Sequence, residues 1–353
     1  MNFFKIICDI INQEGGFMEG HSRRKRLEEN RKKVKIKVLS VFICLFLVML
    51  VLQLTSREED NKEQETSATI EEDENEENPE TEETKTEGEE VEVVVDIEPS
   101  ESEEVKSLIE TIKLDNSLTV DNFSFFYYNL KTKEYYLDNG DKWFTAASTT
   151  KVPIAMLYYD KVNSKEVTFD TTYLYRSSDY EEGDGMTAYT YDAGDSIPLS
   201  FLLEQMIEKS DNTATNVLTN ALGGRAKYIG DTLKYVDEKI GLQVPENFYN
   251  ENITSAKYGL GIMNYIYNHP EEYAGLIDHM KKSSYGSYLK KYITDYDVAH
   301  KYGSYEGNIH DYGIVYGKEP YLIGVFTKSV PDAEELIANI SLQVLNLTLQ
   351  ETN

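Results

Sequence analysis

The chain has 353 residues, a formal net charge of −28, 40% hydrophobic and 28% charged residues, 27 tyrosines, one tryptophan and two cysteines. Two cysteines exclude a disulfide-stapled scaffold, and the shortage of positive charge excludes an ordinary nucleic-acid binder. A single long apolar run excludes a polytopic membrane protein.

Residues 1–37 hold ten Lys/Arg and five Asp/Glu, a net of +5. They lead into an uncharged run of seventeen residues, Val38 to Leu54, which is at the short end for a membrane-spanning helix. The basic clusters 23–26 and 31–37 directly before it predict a cytoplasmic N-terminus and an extracytoplasmic remainder. The run continues into LTSREED. That segment lacks a small-x-small cleavage site, so an uncleaved single-pass anchor is expected in place of a signal peptide. Met18 is a second candidate start. Cys44 follows Phe42 and Ile43, bulky neighbours for a lipidation site. Both cysteines, Cys8 and Cys44, precede or lie in the anchor, which fits an outside domain free of thiols.

Residues 58–104 hold 23 Asp/Glu and two Lys, a net of −21. Such a composition cannot bury enough apolar surface to offset chain entropy, and its like charges keep it extended. The expected division is a basic segment 1–37, an anchor 38–54, an acidic disordered linker 55–104 and a globular domain 105–353, long enough to bury a core.

In that domain, FSFFYYNL (123–130) and EYYLD (134–138) flank Lys131-Thr132-Lys133 and predict a hairpin. Helices are predicted over 151–162, where Pro153 is tolerated in the first turn, over 199–210, over 212–222 before a Gly-Gly stop, and over 254–267 with a Thr cap. Three strands follow at 298–305, 312–317 and 320–328, then a helix over about 332–349. Strands come from both ends and helices lie between. The expected fold class is therefore α+β: one antiparallel sheet built from both chain ends, with flanking helices and an inserted helical subdomain.

The pattern S-x-x-K occurs at Ser22/Lys25, Ser148/Lys151 and Ser287/Lys290. Only the second follows small residues, Ala146 and Ala147, and opens a predicted helix. There a serine hydroxyl sits beside free N–H groups, and a lysine one turn on shares its face. That lysine can take the serine proton if burial or a second cation lowers its pKa. Ser210-Asp211-Asn212 lies at a helix–helix junction. It reads alone as a helix cap, but it also offers a proton relay and a substrate-holding amide. Lys301-Tyr302-Gly303 lies on a predicted strand. There a cation can meet a carboxylate and a glycine can admit a substrate to the backbone. The N–H groups of Ser148 and Ser304 are candidates for an oxyanion hole.

In this order, on helix, junction and strand, the three motifs resemble the class A β-lactamase and penicillin-binding-protein superfamily of serine acyl transferases. The resemblance covers about 115–350 and is carried by AASTTKVPIAM (146–156), MIEKSDNTATNVL (206–218) and HDYGIVYGKEPYLIGVFTK (310–328). It implies a class A β-lactamase-like fold and acyl-enzyme chemistry on β-lactams or D-alanyl cell-wall peptides. By position it implies that Ser148 is the nucleophile, Lys151 its base, Ser210 the proton relay, Asn212 a substrate clamp, Lys301 a carboxylate contact, and Gly303 a gap for substrate. Asn216 is expected to brace the helical subdomain.

Three departures stand out. Tyr302 replaces the usual Thr or Ser, which displaces the hydroxyl and makes Ser304 the candidate substitute. The last arginine is Arg225, so no strand arginine can clamp a carboxylate. Glu246-Asn247-Phe248-Tyr249-Asn250 is similar to the family's E-x-x-L-N segment, which makes Glu246 a candidate deacylation base and Glu251 a weaker rival. A competent Glu246 implies a β-lactamase; slow deacylation implies a penicillin-binding or peptidase-like protein.

Two non-enzymatic readings compete: a binding or sensor domain for penicillins or cell-wall peptides on the same fold, and a tethered structural domain. No cofactor or metal is expected. His21, His269, His279, His300 and His310 lack ligand spacing, and His300, beside Lys301, packs a strand or modulates the site. The expected partners are the substrate and the membrane, without nucleic acid.

Overall fold

The computed structural model describes residues 98–224, 238–242, 244–245, 251–284 and 288–350. The basic segment, the expected anchor 38–54, the acidic stretch up to residue 97 and Glu246 lie outside the described residues. Among the described residues no helix is long and apolar enough to cross a membrane.

Both chain ends build one six-stranded sheet. Its strands are β1 (Ser100–Glu101), β2 (Phe123–Asn129), β3 (Glu134–Asp138), β8 (Val298–Tyr305), β9 (Asn308–Val315) and β10 (Tyr321–Lys328), in the order β1-β3-β2-β10-β9-β8. Two-stranded ribbons join β4 (Phe144–Thr145) to β7 (Ile253–Thr254) and β5 (Thr172–Leu174) to β6 (Ser196–Pro198). The main sheet is not wholly antiparallel as expected, because β1 runs parallel to β3. Helix α1 (Glu103–Asp115) supplies the crossover that parallel neighbours need.

Folded structure also begins before the expected boundary at 105. Ser102 caps α1 by accepting the Val105 N–H, and Glu103 and Glu104 fill its first turn. Acidic residues there favour the positive end of the helix dipole. The same charges continue the acidic composition of the linker, which is why the helix start is hidden in the sequence.

Strand β2 is buried on both faces, which explains its continuous aromatic run. Phe123, Phe125 and Tyr127 face a core shared with Val105 and Ile109 of α1 and with Ile337, Ile340 and Val344 of α7 (Ala333–Gln350). Phe126 faces a second core, shared with Phe326 of β10 and with helices α2 (Lys151–Asn163), α3 (Leu199–Glu208), α4 (Asn212–Ala221), α5 (Ala256–Asn268) and α6 (Pro270–Lys281). The N-cap of α5 is Ser255, which accepts the Tyr258 N–H at 3.1 Å. Thr254, the expected cap, is the last residue of β7. Helix α6, with Pro270 in its first turn, was hidden by the short break at His269.

Candidate active site

Ser148 lies in a single 3₁₀ turn, Ala147–Thr150, that runs straight into α2. Ala147 has φ of +49°, a left-handed conformation that costs a residue with a Cβ roughly 1 kcal/mol or more. Asn252 holds this turn from outside. Its Nδ2 donates to the Ala147 carbonyl at 3.2 Å, and its own carbonyl accepts the Ala146 N–H at 2.8 Å. Nothing in the sequence singled out Asn252.

One turn along, Lys151 is 3% exposed. Its Nζ lies 3.0 Å from Ser148 Oγ, 2.7 Å from the Ser210 carbonyl, 3.2 Å from Ser210 Oγ and 2.7 Å from Asn212 Oδ1. Ser210 has φ of +55°, which turns its carbonyl onto the amine. Burial lowers the Lys151 pKa to about 7, against the opposing pull of Asp211, Glu181 and Asp184. The contacts fit a neutral amine. Its two N–H groups serve the two obligate acceptors at 2.7 Å, and its lone pair faces the Ser148 hydroxyl.

Asp211 is the helix cap that the Ser-Asp-Asn motif suggested, and it does more. One carboxylate oxygen accepts the Ala214 N–H at 2.9 Å and the other accepts the Thr187 N–H at 2.9 Å. Gly185, at φ of +109°, passes so close that a Cβ there meets the Asp211 side chain at 2.3–2.5 Å. Asp211 thus fixes the loop over the site while its neighbours Ser210 and Asn212 contact Lys151.

Lys301 is fully buried, and its Nζ donates to Ser210 Oγ at 3.0 Å and to the Tyr302 carbonyl at 3.1 Å. Burial pushes its pKa down, and repulsion from Lys151 pushes it further. The second cation is therefore present, but desolvation is the main cause of the shift at Lys151. Neither Lys301 nor Tyr302 lines the cleft, and the Tyr302 ring lies against the Lys301 ammonium at 4.1 Å. The Tyr302 hydroxyl is not displaced from the site, since it reaches Ser210.

Gly303 also differs from expectation. A Cβ there meets the Ala146 carbonyl at 2.8 Å and the backbone nitrogens of Ser148 and Thr149 at 3.0 and 3.1 Å. The gap admits the turn that carries Ser148, not a substrate. Beyond it, the two-residue turn Glu306-Gly307 closes the β8–β9 hairpin, with Tyr305 opposite Asn308. In a two-residue hairpin that flanking pair is hydrogen-bonded, so by alternation the Ser304 N–H points off the sheet edge. β8 is that edge. The Ser148 N–H is likewise unused, as a first-turn donor. Two backbone donors are thus available beside the Ser148 hydroxyl.

These groups open on a cleft of about 320 Å³ lined by Ser148, Lys151, Asn212, Ser304 and Tyr305, and also by Glu181, Asn216 and Asn252. Glu181 was not singled out from the sequence, where it is one of several acidic loop residues. Asn216 does brace the helical subdomain: its Nδ2 donates to the Asp179 carbonyl at 3.2 Å and to Glu181 Oε2 at 2.9 Å. His300 is fully buried with Nδ1 at 2.7 Å from Asp311 Oδ2, which places it inside the sheet layer behind Lys301. Glu251, the weaker rival for a base, and Glu181 are both exposed, but of the two only Glu181 lines the cleft.

The solved structures most similar in fold include PBP-A, with 23% identity and a TM-score of 0.61 over 71% of this chain and 98% of that one. A mutant of PBP-A in an acyl-enzyme complex with penicillin G has 24% identity and a TM-score of 0.60 over 69% and 97%. A β-lactamase from Sphaerobacter thermophilus has 21% identity and a TM-score of 0.60 over 69% and 97%. No curated protein sequence matches the chain. The model of the β-lactamase enzyme family matches residues 104–348, well over half of the chain. The chain belongs to that family.

Proposed function

We propose that the protein is a membrane-anchored, extracytoplasmic serine hydrolase that is acylated at Ser148 by β-lactams. The observation that carries this reading is the Lys151 amine, buried, with its pKa lowered to about 7 and its Nζ 3.0 Å from the Ser148 hydroxyl. A base poised near neutral pH beside a hydroxyl is what nucleophile activation requires.

In the proposed acylation, Lys151 Nζ takes the Ser148 proton as Oγ bonds to the lactam carbonyl carbon. The developing oxyanion is held by the Ser148 and Ser304 N–H groups. As the ring C–N bond breaks, Ser210 gives its hydroxyl proton to the leaving nitrogen and recovers one from Lys151. Ser210 Oγ lies within 3.2 Å of Lys151 Nζ and 3.0 Å of Lys301 Nζ, so it is supported from both sides. Asn212 holds Lys151 through Oδ1, and its Nδ2 faces Gly183 across the cleft mouth.

The apolar run 38–54, with basic clusters before it, supports the anchor and the outward placement of the domain. A second reading, a binding domain for penicillins or D-alanyl peptides, is favoured by one observation, the Lys301 ammonium that is fully buried against the Tyr302 ring and does not line the cleft.

The test is intact-mass spectrometry of the protein mixed with benzylpenicillin, with Ser148→Ala as control. An adduct on the wild type that the variant lacks is expected. Absence of any adduct, with penicillin still bound, establishes the binding domain instead.

A further inference from the structure

Residue Glu181 stands in the cleft without an assigned role. It lies beside Ser148 and Lys151 in the wall, on a segment far in sequence from the Glu246 stretch. Its position is fixed three times over. Its backbone N–H donates to Thr213 Oγ1 at 3.1 Å, and that hydroxyl donates back to the Glu181 carbonyl at 3.1 Å. Its side chain accepts from Asn216 Nδ2 at 2.9 Å. The preceding Asp179 is fully buried and accepts the Arg176 N–H at 2.7 Å and Asn220 Nδ2 at 2.6 Å. The segment 179–181 is thus riveted to α4, which gives the carboxylate the fixed geometry that a reacting group needs.

Helix α4 sets the spacing. Asn212, Asn216 and Thr219 follow at helical intervals and all line the cleft. Asn212 holds the Lys151 amine at 2.7 Å and Asn216 holds the Glu181 carboxylate at 2.9 Å. Glu181 and Ser148 line the same cleft of about 320 Å³, which has room for water. Its other walls, Thr215, Thr219 and Asn252, are polar and suit a bound water.

We infer that Glu181 is the general base that activates water to hydrolyse the acyl group on Ser148. This rests on the reading that Ser148 is acylated. In the step, the Glu181 carboxylate takes a proton from water as the water oxygen bonds to the ester carbonyl carbon. As the C–Oγ bond breaks, the proton that Glu181 took from water passes to Oγ of Ser148, relayed by the neutral Lys151 amine, and the acid product leaves. The carboxylate and the neutral amine are thereby restored. Asn216 is a positioning residue, acting only through Glu181.

The test follows acylation and deacylation separately, by stopped-flow mixing with benzylpenicillin and timed intact mass. Glu181→Gln is expected to acylate within about 3-fold of wild type and to lose its adduct at least about 100-fold more slowly. Hydroxylamine, a nucleophile that needs no base, is expected to restore turnover of the Glu181→Gln adduct. Asn216→Leu is expected to slow deacylation about 10-fold, with the same rescue. A Glu181→Gln adduct that decays at the wild-type rate overturns the assignment, as does accumulation in Glu246→Gln alone. A wild-type adduct that never decays overturns it while leaving acylation of Ser148 intact. No adduct on the wild type overturns both.

Discussion

The Nζ of Lys301 lies 4.1 Å from the centroid of the Tyr302 ring, and that ring stacks on Tyr288 at 5.1 Å with 24° between planes. Tyr288 is in turn tied to α7, its hydroxyl donating to Glu334 at 3.2 Å. The lysine is thus capped by a two-ring stack and not by solvent. An aromatic face contributes up to about 2 kcal/mol to a desolvated ammonium, which offsets part of the cost of its burial. The buried Lys301 accordingly does not line the cleft.

This relationship predicts how the site treats charge on its substrate. The wild type is expected to be acylated by benzylpenicillin and by its methyl ester at rates within about 3-fold of each other. Tyr302→Thr keeps a hydroxyl and removes the ring, so Lys301 faces the cleft. One charge-assisted contact of about 1.4 kcal/mol gives a 10-fold preference for the free acid. Acylation rates for both compounds on both proteins measure this. A wild type that already prefers the free acid 10-fold shows that the ring does not screen the lysine.

The pH dependence follows from Lys151. Acylation needs the neutral amine, and the pKa lowered to about 7 places its protonation just below neutral. The rate is therefore expected to rise as pH increases from 5 to 8 and then level off. Lys151→Arg cannot give up its proton and is expected to lose about 10³-fold. Stability carries the same sign. An unfolded lysine keeps its proton to pH 10.5 while the folded one releases it near 7. The unfolded state binds more protons between those values, so stability rises with pH across that window. Lys151→Met is expected to flatten that rise in urea melts, and an unchanged slope counts against the buried neutral amine.

Gly303→Ala tests how tightly β8 packs on the nucleophile turn. All three atoms that its Cβ meets, at 2.8–3.1 Å, are backbone. Backbone cannot rotate away, so strand or turn must shift, at a cost of about 1–3 kcal/mol. A displacement of about 1 Å at a reacting group costs about 100-fold in rate. A variant that melts slightly early but acylates about 100-fold more slowly is expected. Full acylation speed in Gly303→Ala shows that the turn has slack.

The three motifs were legible because each combines a residue type with a local structure that the sequence also announces. Ser148 and Lys151 are one helical turn apart, Ser210 and Asn212 flank a helix cap, and Lys301 sits in an alternating strand. Strand β3 over Glu134–Asp138 and strand β8 over Val298–Tyr305 match the sequence reading to the residue. What escaped was set by tertiary contact. The parallel placement of β1 depends on where α1 docks. The purpose of Gly303 depends on which backbone passes beside it. The roles of Asn252 and Glu181 depend on hydrogen bonds to residues 105 and 35 positions away. Tyr302 was visible as a departure, but its direction and its stack on Tyr288 were not.

The buried pair behind the site supplies a last prediction. His300 and Asp311 are both 0% exposed, face each other at 2.7 Å, and are further held by the Leu289 N–H, which donates to the same Asp311 oxygen at 3.1 Å. Among the described residues, His300 Nε2 and Asp311 Oδ1 are buried without a hydrogen-bond partner. Asp311, cross-strand partner of Tyr302, also supports the charged form of Lys301 on the same hairpin. Breaking such a pair from one side leaves a buried group uncompensated and costs about 3–5 kcal/mol, whereas removing both partners costs much less. Asp311→Asn and His300→Gln are each expected to lower the urea midpoint strongly, and the double variant to lose far less than their sum. A coupling energy of about 2 kcal/mol or more is expected from that cycle. Additive losses show instead that the two side chains contribute only packing, and the charge behind Lys301 then has no part in holding the site.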